Sequence, residues 1–190
     1  MIDQNVSYST IKVLAAEAIL KYPTESLLPM LTDDDPVVRT LVARELQARG
    51  GQDVFSHVSE VVTSKRFEHR EIAAFVLGQL GTPKFPFREQ SIPILRTLLL
   101  DDYYEVQGAA IAALGHLKVS EMLPDIMEFA LSAEDYIKEN VAFTLSFLDL
   151  NKMAIKVLKK LKLDNNPDIR DWAEFALSEH RMRIKNAPQS

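Results

Sequence analysis

The sequence contains no cysteine, and this absence excludes both a disulfide framework and a zinc site built from thiolates. Glycine and proline are also scarce, with 6 and 9 residues among 190, which is too few for a loop-rich β-sandwich. The apolar residues instead fall in blocks of about a dozen, which is typical of helices. This composition predicts one all-helical domain.

Positive charge is in deficit as well. The net charge is -5, whereas binding to phosphate groups requires clustered Lys and Arg. We therefore expect no nucleic-acid partner, and a basic protein is the better-suited ligand. Residues 1–5 include Asp3, lack a basic segment and precede no long apolar run. We expect a cytoplasmic protein with no membrane segment.

Five segments of the chain repeat one pattern. Each begins with a long polar residue, has small or apolar residues three and four positions later, and ends on a leucine. The segments are 39–46 (RTLVAREL), 70–77 (REIAAFVL), 107–114 (QGAAIAAL), 138–145 (KENVAFTL) and 170–177 (RDWAEFAL), and 13–20 (VLAAEAIL) is a weaker copy. The final leucines, from Leu20 to Leu177, are separated by 26, 31, 37, 31 and 32 residues, the length of one helical hairpin.

Polar turns separate the repeats. Six residues before each polar start lies a short side chain that can accept a hydrogen bond from a free backbone N–H: Asp33, Ser64, Asp101, Ser132 and Asp164. The 37-residue step contains the insertion 82–87, whose two prolines interrupt a helix. We expect each repeated segment to form the first helix of a hairpin. The second helices are expected between these segments, at 24–31, 52–64, 89–100, 120–131 and 151–163. Small residues, such as Ala43 and Ala110, should let neighbouring first helices approach closely.

This pattern predicts an α/α solenoid of five helical hairpins plus a degenerate N-terminal repeat. Residues 1–184 should form this single domain. Residues 185–190 should be a flexible C-terminal tail.

Several motifs resemble the HEAT repeat family, in particular its short bacterial repeats of the phycobilisome lyase type. The motifs are DPVVR at 35–39, AFVLGQLG at 74–81, AALGHL at 112–117 and NPDIR at 166–170. Gln107 and Lys138 depart from the usual Arg, and Ser146 and Ser178 depart from the usual Gly. The resemblance covers nearly the whole chain and implies HEAT-like hairpins.

Residues 27–81 carry a closer resemblance. Through ARELQARGGQ at 43–52 and REIAAFVLGQLG at 70–81, they resemble bacterial HEAT-repeat proteins encoded beside Rhs polymorphic toxins, which serve as immunity proteins. The resemblance implies a cytoplasmic antitoxin that binds and blocks the toxic C-terminal domain of its partner. We expect a monomer that forms a heterodimer with a basic toxin domain. The alternatives are a HEAT-like DNA glycosylase of base excision repair and a general scaffold or lyase-type protein.

No pattern of titratable residues indicates an enzyme. The acidic clusters at 33–35, 101–102 and 134–135 each precede a first helix, where negative charge is stabilising. Arg39, Arg70 and Arg170 form a column that in HEAT repeats commonly pairs with an acidic turn residue of an adjacent repeat. The 4 histidines show neither an i, i+4 pair nor a zinc motif. We predict no catalytic residue, no metal and no cofactor.

Trp172 invites comparison with HEAT-like alkylpurine DNA glycosylases, whose concave pocket is aromatic and acidic on a basic surface. Here the repeat pattern places Trp172 beside Ala173 on the packing side, and the chain is acidic. We therefore interpret Trp172 as a core residue.

The second helices are expected to line the concave face. Glu121, Asp125 and Glu128 recur at spacings of four and three, so they form an acidic stripe on one helix face. The next second helix carries a basic stripe: Lys152, Lys156, Lys159 and Lys160. A groove that is acidic in its middle would steer a basic partner. Solvated surface is the alternative for both stripes, and the role of the basic stripe stays open.

Aromatic residues in loops are candidate interface anchors. Phe85 and Phe87 lie in the insertion, and Tyr103 and Tyr104 precede a first helix. The alternative is a hydrophobic loop capped against the core. The predicted partner-binding residues are Asp53, His57, Glu60, Phe85, Phe87, Glu89, Arg96, Tyr103, Tyr104, Glu121, Asp125 and Glu128. The sequence leaves open whether the partner contacts the concave face or the loop edge.

Overall fold

The computed structural model describes the backbone of residues 8–186 and the side chains of residue 13 and residues 15–186. Every regular element in this range is helical. The helices are α1 (Tyr8–Ile19), α2 (Thr24–Leu27), α3 (Pro36–Arg49), α4 (Gln52–Val61), α5 (Phe67–Gln79), α6 (Arg88–Leu98), α7 (Tyr104–His116), α8 (Leu123–Glu128), α9 (Asp135–Leu145), α10 (Lys152–Leu161) and α11 (Pro167–Asn186). Short 3₁₀ segments extend α2 (Leu28–Thr32) and flank α8 (Ser120–Met122 and Phe129–Leu131).

The helices alternate between two rows. The odd-numbered helices form an inner row in which each packs against the next, and the even-numbered helices form an outer row that packs mainly on the inner one. From α2 onward the chain forms five hairpins, and α1 precedes them. The predicted α/α solenoid with an additional N-terminal element is confirmed.

Small residues bring the inner helices together. Ala43, Ala74, Ala110, Ala142 and Ala173 are fully buried, as the repeat pattern predicts. The hydroxyl of Thr144 on α9 donates to the carbonyl of Ile111 on α7 at 2.9 Å, which joins these two helices. Because the inner helices lie closer together than the outer ones, the inner row is the shorter one and lies on the inside of the solenoid's curve.

The final leucine of each full repeat fills the space between layers. Leu46, Leu77, Leu114, Leu145 and Leu177 are at most 5% exposed. Leu20 is 63% exposed, so the prediction that it anchors a layer is wrong. The reason is that α1 ends at Ile19 and leaves Leu20 in the following turn.

The C-terminal helix extends into the segment predicted to be a tail. α11 continues to Asn186, so Lys185 and Asn186 are helical. Residues 187–190 of the predicted tail lie outside the described residues.

The turns before the inner helices are closed by the short side chains that the repeat pattern singles out. Each of the five accepts a hydrogen bond, at 2.9 to 3.3 Å, from the backbone N–H two residues later: Asp33, Ser64, Asp101, Ser132 and Asp164. This predicted role is confirmed. Four of the long polar start residues then donate to the carbonyl six residues earlier: Arg39, Arg70, Gln107 and Arg170.

Of the three arginines in the column, one forms an ion pair with an acidic residue of an adjacent repeat. Arg70 forms a two-point ion pair with Asp101 of the next repeat, at 2.7 and 2.8 Å. Arg39 and Arg170 form no ion pair among the described residues. For Arg39, the residue of the next repeat that corresponds to Asp101 is Ser64, which carries no charge. The described residues after Arg170 all belong to its own helix, α11. The prediction is thus confirmed for Arg70 and wrong for the other two.

The insertion 82–87 packs against the body of the solenoid. Phe85 and Phe87 are half-buried against the core, and the Phe87 ring stacks on Phe55 of α4 with centroids 4.8 Å apart. Of the two interpretations of this loop, the structure supports the capped one. Tyr103 likewise stacks on Phe67 of α5, with centroids 4.7 Å apart.

Candidate functional site

A groove runs along the inner row and touches five of its helices. It holds a cavity of about 440 Å³ whose lining extends from Pro36 on α3 to Trp172 on α11. Every lining residue lies on α3, α5, α7, α9 or α11. The prediction that the second helices line the concave face is therefore wrong. The small residues that bring the first helices together put that row on the inside of the curve.

The predicted site residues consequently lie elsewhere. Most are on the outer row: Asp53, His57 and Glu60 on α4, Glu89 and Arg96 on α6, and Glu121, Asp125 and Glu128 on α8 or the 3₁₀ turn before it. The acidic and basic stripes both exist there and are exposed, but neither lines the groove. Among the aromatic candidates, Tyr104 borders the groove, because its ring contacts Tyr136 edge-on at 6.2 Å. A partner-binding role for any of these residues stays a prediction.

The floor of the groove is formed by α7. Ala109, Ala112 and Ala113 line the cavity there. The repeat position of Ala112 is occupied by Phe75 on α5 and Phe143 on α9, which also line the cavity. The low floor between two walls therefore results from small side chains in one repeat and large ones in its neighbours.

An aromatic cluster forms the wall on the C-terminal side. Phe143 contacts Trp172, Phe147 and His116 edge-on, with centroids 4.9, 4.9 and 5.3 Å away. Trp172 packs against the core, as predicted, and it also lines the groove. Burial lowers the pKa of His116, because it disfavours the charged imidazolium.

Carboxylates surround this cluster. Glu68, Glu71 and Glu139 line the cavity, and Asp168 and Asp171 continue the row beside Trp172. Within residues 15–186, all of these but Glu68 are without an ion-pair partner.

Two of the glutamates on the central helices interact. Burial raises the pKa of Glu71, and the nearby charge of Glu105 on α7 raises it further. The Oε2 atom of Glu105 is itself inaccessible to solvent and has no hydrogen-bond partner in the described part of the chain. Carboxylates thus dominate the middle of the groove, and the charge of Arg39 offsets them only in part.

Positive charge lies at the opposite end of the groove. Arg39 and Arg44 line it from α3. The Arg39 guanidinium already donates to the carbonyls of Asp33 and Asp34, at 2.7 and 3.0 Å, so it is held in its own turn. The groove therefore changes from basic at α3 to acidic and aromatic from α5 to α11.

The groove residues occupy two repeat positions of the first helices, whereas the predicted charged stripes lie on the second helices. One position after each polar start residue, the five repeats carry Thr40, Glu71, Gly108, Glu139 and Asp171. Five positions after the same start residue, they carry Arg44, Phe75, Ala112, Phe143 and Phe175. Both columns lie on the helices that carry the small packing residues. The close approach of these helices was predicted, and the direction of the curvature follows from it.

Comparison with known proteins supports the repeat architecture. A family model described as HEAT repeats matches residues 24–106 and 92–178. Protein YibA of Escherichia coli, in strains K12 and O157:H7, is 30% identical over 165 residues, which cover 83% of this chain and 58% of the relative. This chain therefore spans little more than half the length of these relatives.

Solved structures show the same fold. The X-ray structure of Escherichia coli YibA superposes with a TM-score of 0.75 at 28% identity, over 94% of this chain and 64% of that one. The complex of CpcE and CpcF of phycocyanin lyase from Nostoc sp. PCC7120 gives a TM-score of 0.59 at 16% identity, over 98% of this chain and 86% of that one. A designed armadillo repeat protein gives 0.53 at 15% identity, over 93% and 96%. The last two likenesses concern the fold alone.

Between residues 8 and 186, no helix is both long and apolar enough to cross a bilayer.

Proposed function

This chain belongs to the HEAT repeat family, and from that premise we propose that it is a non-enzymatic protein-binding module. More specifically, we propose a cytoplasmic immunity protein that binds the toxic C-terminal domain of a cognate Rhs-type toxin and neutralises it sterically. The partner occupies the groove of the inner row. The observation that carries the proposal is a set of carboxylates, without ion-pair partners among the described residues, beside half-buried aromatic rings on the concave face.

The groove has the two properties that a protein interface requires. Phe143 and Trp172 offer large, partly accessible rings, and aromatic residues dominate binding hot spots. Glu71, Glu139 and Asp171 generate a field of one sign on α5, α9 and α11, which attracts a basic partner and speeds its association. Blocking a toxin in this way requires no chemistry from this chain.

Binding and growth measurements test the proposal together. The C-terminal domain of an Rhs-type toxin encoded next to this chain is purified and titrated into it by calorimetry, and the same domain is expressed in cells with and without the chain. We expect a complex of one copy each and restored growth. A domain that stays toxic and shows no heat of binding contradicts the proposal.

The position of Trp172 favours a second candidate, a DNA glycosylase of base excision repair. Trp172 shares the groove with Asp168 and Asp171, which gives the aromatic and acidic concave pocket of that class. The groove lacks the basic surroundings that hold phosphates, since its positive residues, Arg39 and Arg44, lie on α3. Duplex DNA containing an alkylated purine discriminates the two. We expect neither binding at moderate salt nor release of the base, and release of the base would replace the immunity proposal.

A further inference from the structure

Small side chains on α7 form the floor of a pocket, and larger side chains on α5 and α9 form its walls. Ala109 and Ala112 leave room above α7, while Phe75 and Phe143 stand on either side. Tyr136 lies against the helix itself, because a Cβ added to Gly108 would collide with its ring. The surroundings of the pocket are thus aliphatic below and aromatic at the sides.

The charged residues that surround this pocket on α5, α7 and α9 are carboxylates, whereas Arg39 and Arg44 line the groove at its α3 end. Glu71 on α5 and Glu139 on α9 line opposite walls, and Glu105 on α7 lies close enough to Glu71 for their charges to interact. Arg70 on α5 is engaged with Asp101 at 2.7 Å and does not line the pocket, and Arg39 is held by the carbonyls of its own turn. Burial and the charge of Glu105 act on Glu71 more strongly than the opposing charge of Arg39 does, so its pKa is raised. Burying negative charge that is only partly compensated is unfavourable, so the pocket is suited to a further cation.

We propose that the pocket above α7 is the anchor subsite of the groove and accepts an arginine side chain of a basic partner. The methylene stem lies on Ala109 and Ala112, the guanidinium plane stacks beside Tyr136 and its N–H groups donate to the carboxylates of Glu71 and Glu139. The inference rests on the proposed function, because it names the chemistry by which the partner is held.

Arginine suits this site better than other side chains do. A guanidinium is planar and weakly hydrated, stacks on aromatic faces and binds carboxylates at two points, whereas a lysine ammonium is a compact, strongly hydrated charge. An apolar side chain would cover Glu71 and leave its carboxylate buried without a partner. An acidic side chain or a phosphate would be repelled.

The test uses two fluorescein-labelled probes, octa-arginine and octa-citrulline. Citrulline has the shape of arginine without its charge, so the pair isolates the contribution of the cation. Fluorescence anisotropy at about 0.15 M salt, where the screening length is about 8 Å, suppresses attraction from distant charges. We expect saturable binding of octa-arginine, at least about tenfold tighter than that of octa-citrulline.

Two variants probe the pocket separately by shape and by charge. Ala112→Phe fills the floor with the residue that α5 and α9 carry at the same position, so the helix tolerates it. Glu71→Gln with Glu139→Gln removes two negative charges at nearly constant volume. Glu17→Gln with Glu25→Gln is the matched control, because it removes two exposed charges near the N-terminus, on α1 and α2. Urea unfolding checks that each variant is folded.

The expected result is a loss of octa-arginine affinity of about tenfold for each pocket variant and of less than about twofold for the control. Equal losses in the control, or unchanged affinity in both pocket variants, overturn the inference. Failure of the proposed function is a separate outcome. If the toxin domain binds tightly but octa-arginine does not, only the subsite is wrong. If octa-arginine binds in the pocket and the toxin domain does not bind, the immunity role is wrong.

Discussion

Gly78 on α5 lies so close to Ala113 on α7 that a Cβ added to Gly78 would be 2.6 Å from both the Cα and the Cβ of Ala113. No side chain larger than hydrogen fits at this crossing without moving a helix. Contacts of this kind shorten the inner row relative to the outer one and place the groove on the inner helices. The candidate site therefore depends on backbone packing in the middle of the solenoid.

Substituting this glycine tests the packing. Gly78→Ala gains about 1 kcal/mol of helix propensity, yet we expect a net destabilisation of about 1 to 3 kcal/mol because α7 must move. Gly108→Ala is the comparison, since its methyl group meets the side chains of Tyr136 and Asn140, which can shift, rather than backbone. Urea unfolding monitored by circular dichroism measures both. A Gly78→Ala protein that is more stable than the parent would contradict this packing.

The ion pair between Arg70 and Asp101 should link neighbouring repeats. The two side chains are 14% and 9% exposed, and Asp101→Asn removes the charge while keeping an oxygen for the N–H of Tyr103. We expect a loss of about 1 to 2 kcal/mol in the free energy of unfolding at pH 7. Asp102→Asn, at the exposed adjacent position, is the control and should have little effect.

This ion pair also predicts a pH dependence. The hydrogen bond from Arg70 lowers the pKa of Asp101, so the stabilisation is present above the unfolded-state pKa, about 3.9, and is lost as the pH falls through the folded-state pKa. The difference in unfolding free energy between the parent and Asp101→Asn should therefore shrink below about pH 4. A difference that is constant from pH 7 to pH 3 would show that the charge of Asp101 contributes nothing.

Charge reversal separates the inner row from the outer row as the binding face. Glu121, Asp125 and Glu128 on the outer row, changed together to Lys, should alter octa-arginine affinity by less than about threefold at about 0.15 M salt. The same reversal of Glu71, Glu139 and Asp171 should abolish saturable binding. Both triple variants change the net charge equally, so fluorescence anisotropy compares position alone. A larger effect of the outer triplet would return the binding site to the outer stripe.

Glu71 should cost stability at neutral pH. Burial, followed by the charge of Glu105, raises its pKa in the folded state. A raised pKa means that the folded protein favours the protonated form of Glu71. The stabilisation from this form is fully present below the unfolded-state pKa, about 4.3, and is lost as the pH rises through the folded-state pKa. We therefore expect Glu71→Gln to gain stability relative to the parent between pH 4 and pH 7, measured by urea unfolding. Glu17→Gln should show no such trend.

Much of the fold could be predicted from the sequence because it depends on local patterns. With the 3₁₀ segments that extend them, the second helices lie within three residues of their expected bounds, for example Gln52–Val61 against 52–64 and Lys152–Leu161 against 151–163. Asp33, Ser64 and Asp101 close their turns as expected. The prediction for Leu20 was wrong because helix α1 ends at Ile19, one residue before the leucine of the weak N-terminal copy of the motif.

The candidate site could be predicted less well, because it depends on the direction in which the repeats curve. Glu121, Asp125 and Glu128 do form a stripe, and the stripe lies on the outer row. Phe87 was a candidate anchor, but it stacks on Phe55 through a contact between segments about thirty residues apart, beyond the range of helical periodicity.

The sequence by itself determined the number of hairpins, the turns between them and the residues buried between layers, since each of these follows from spacing along one helix or one turn. Only the tertiary structure decided which row became the concave face. That choice depends on how closely helices of different repeats approach each other. Because Gly78 has no side chain, α5 can pack directly against the backbone of Ala113 on α7, and the inner row is shortened. Glu71, Glu139 and Trp172 belong to one groove for that reason.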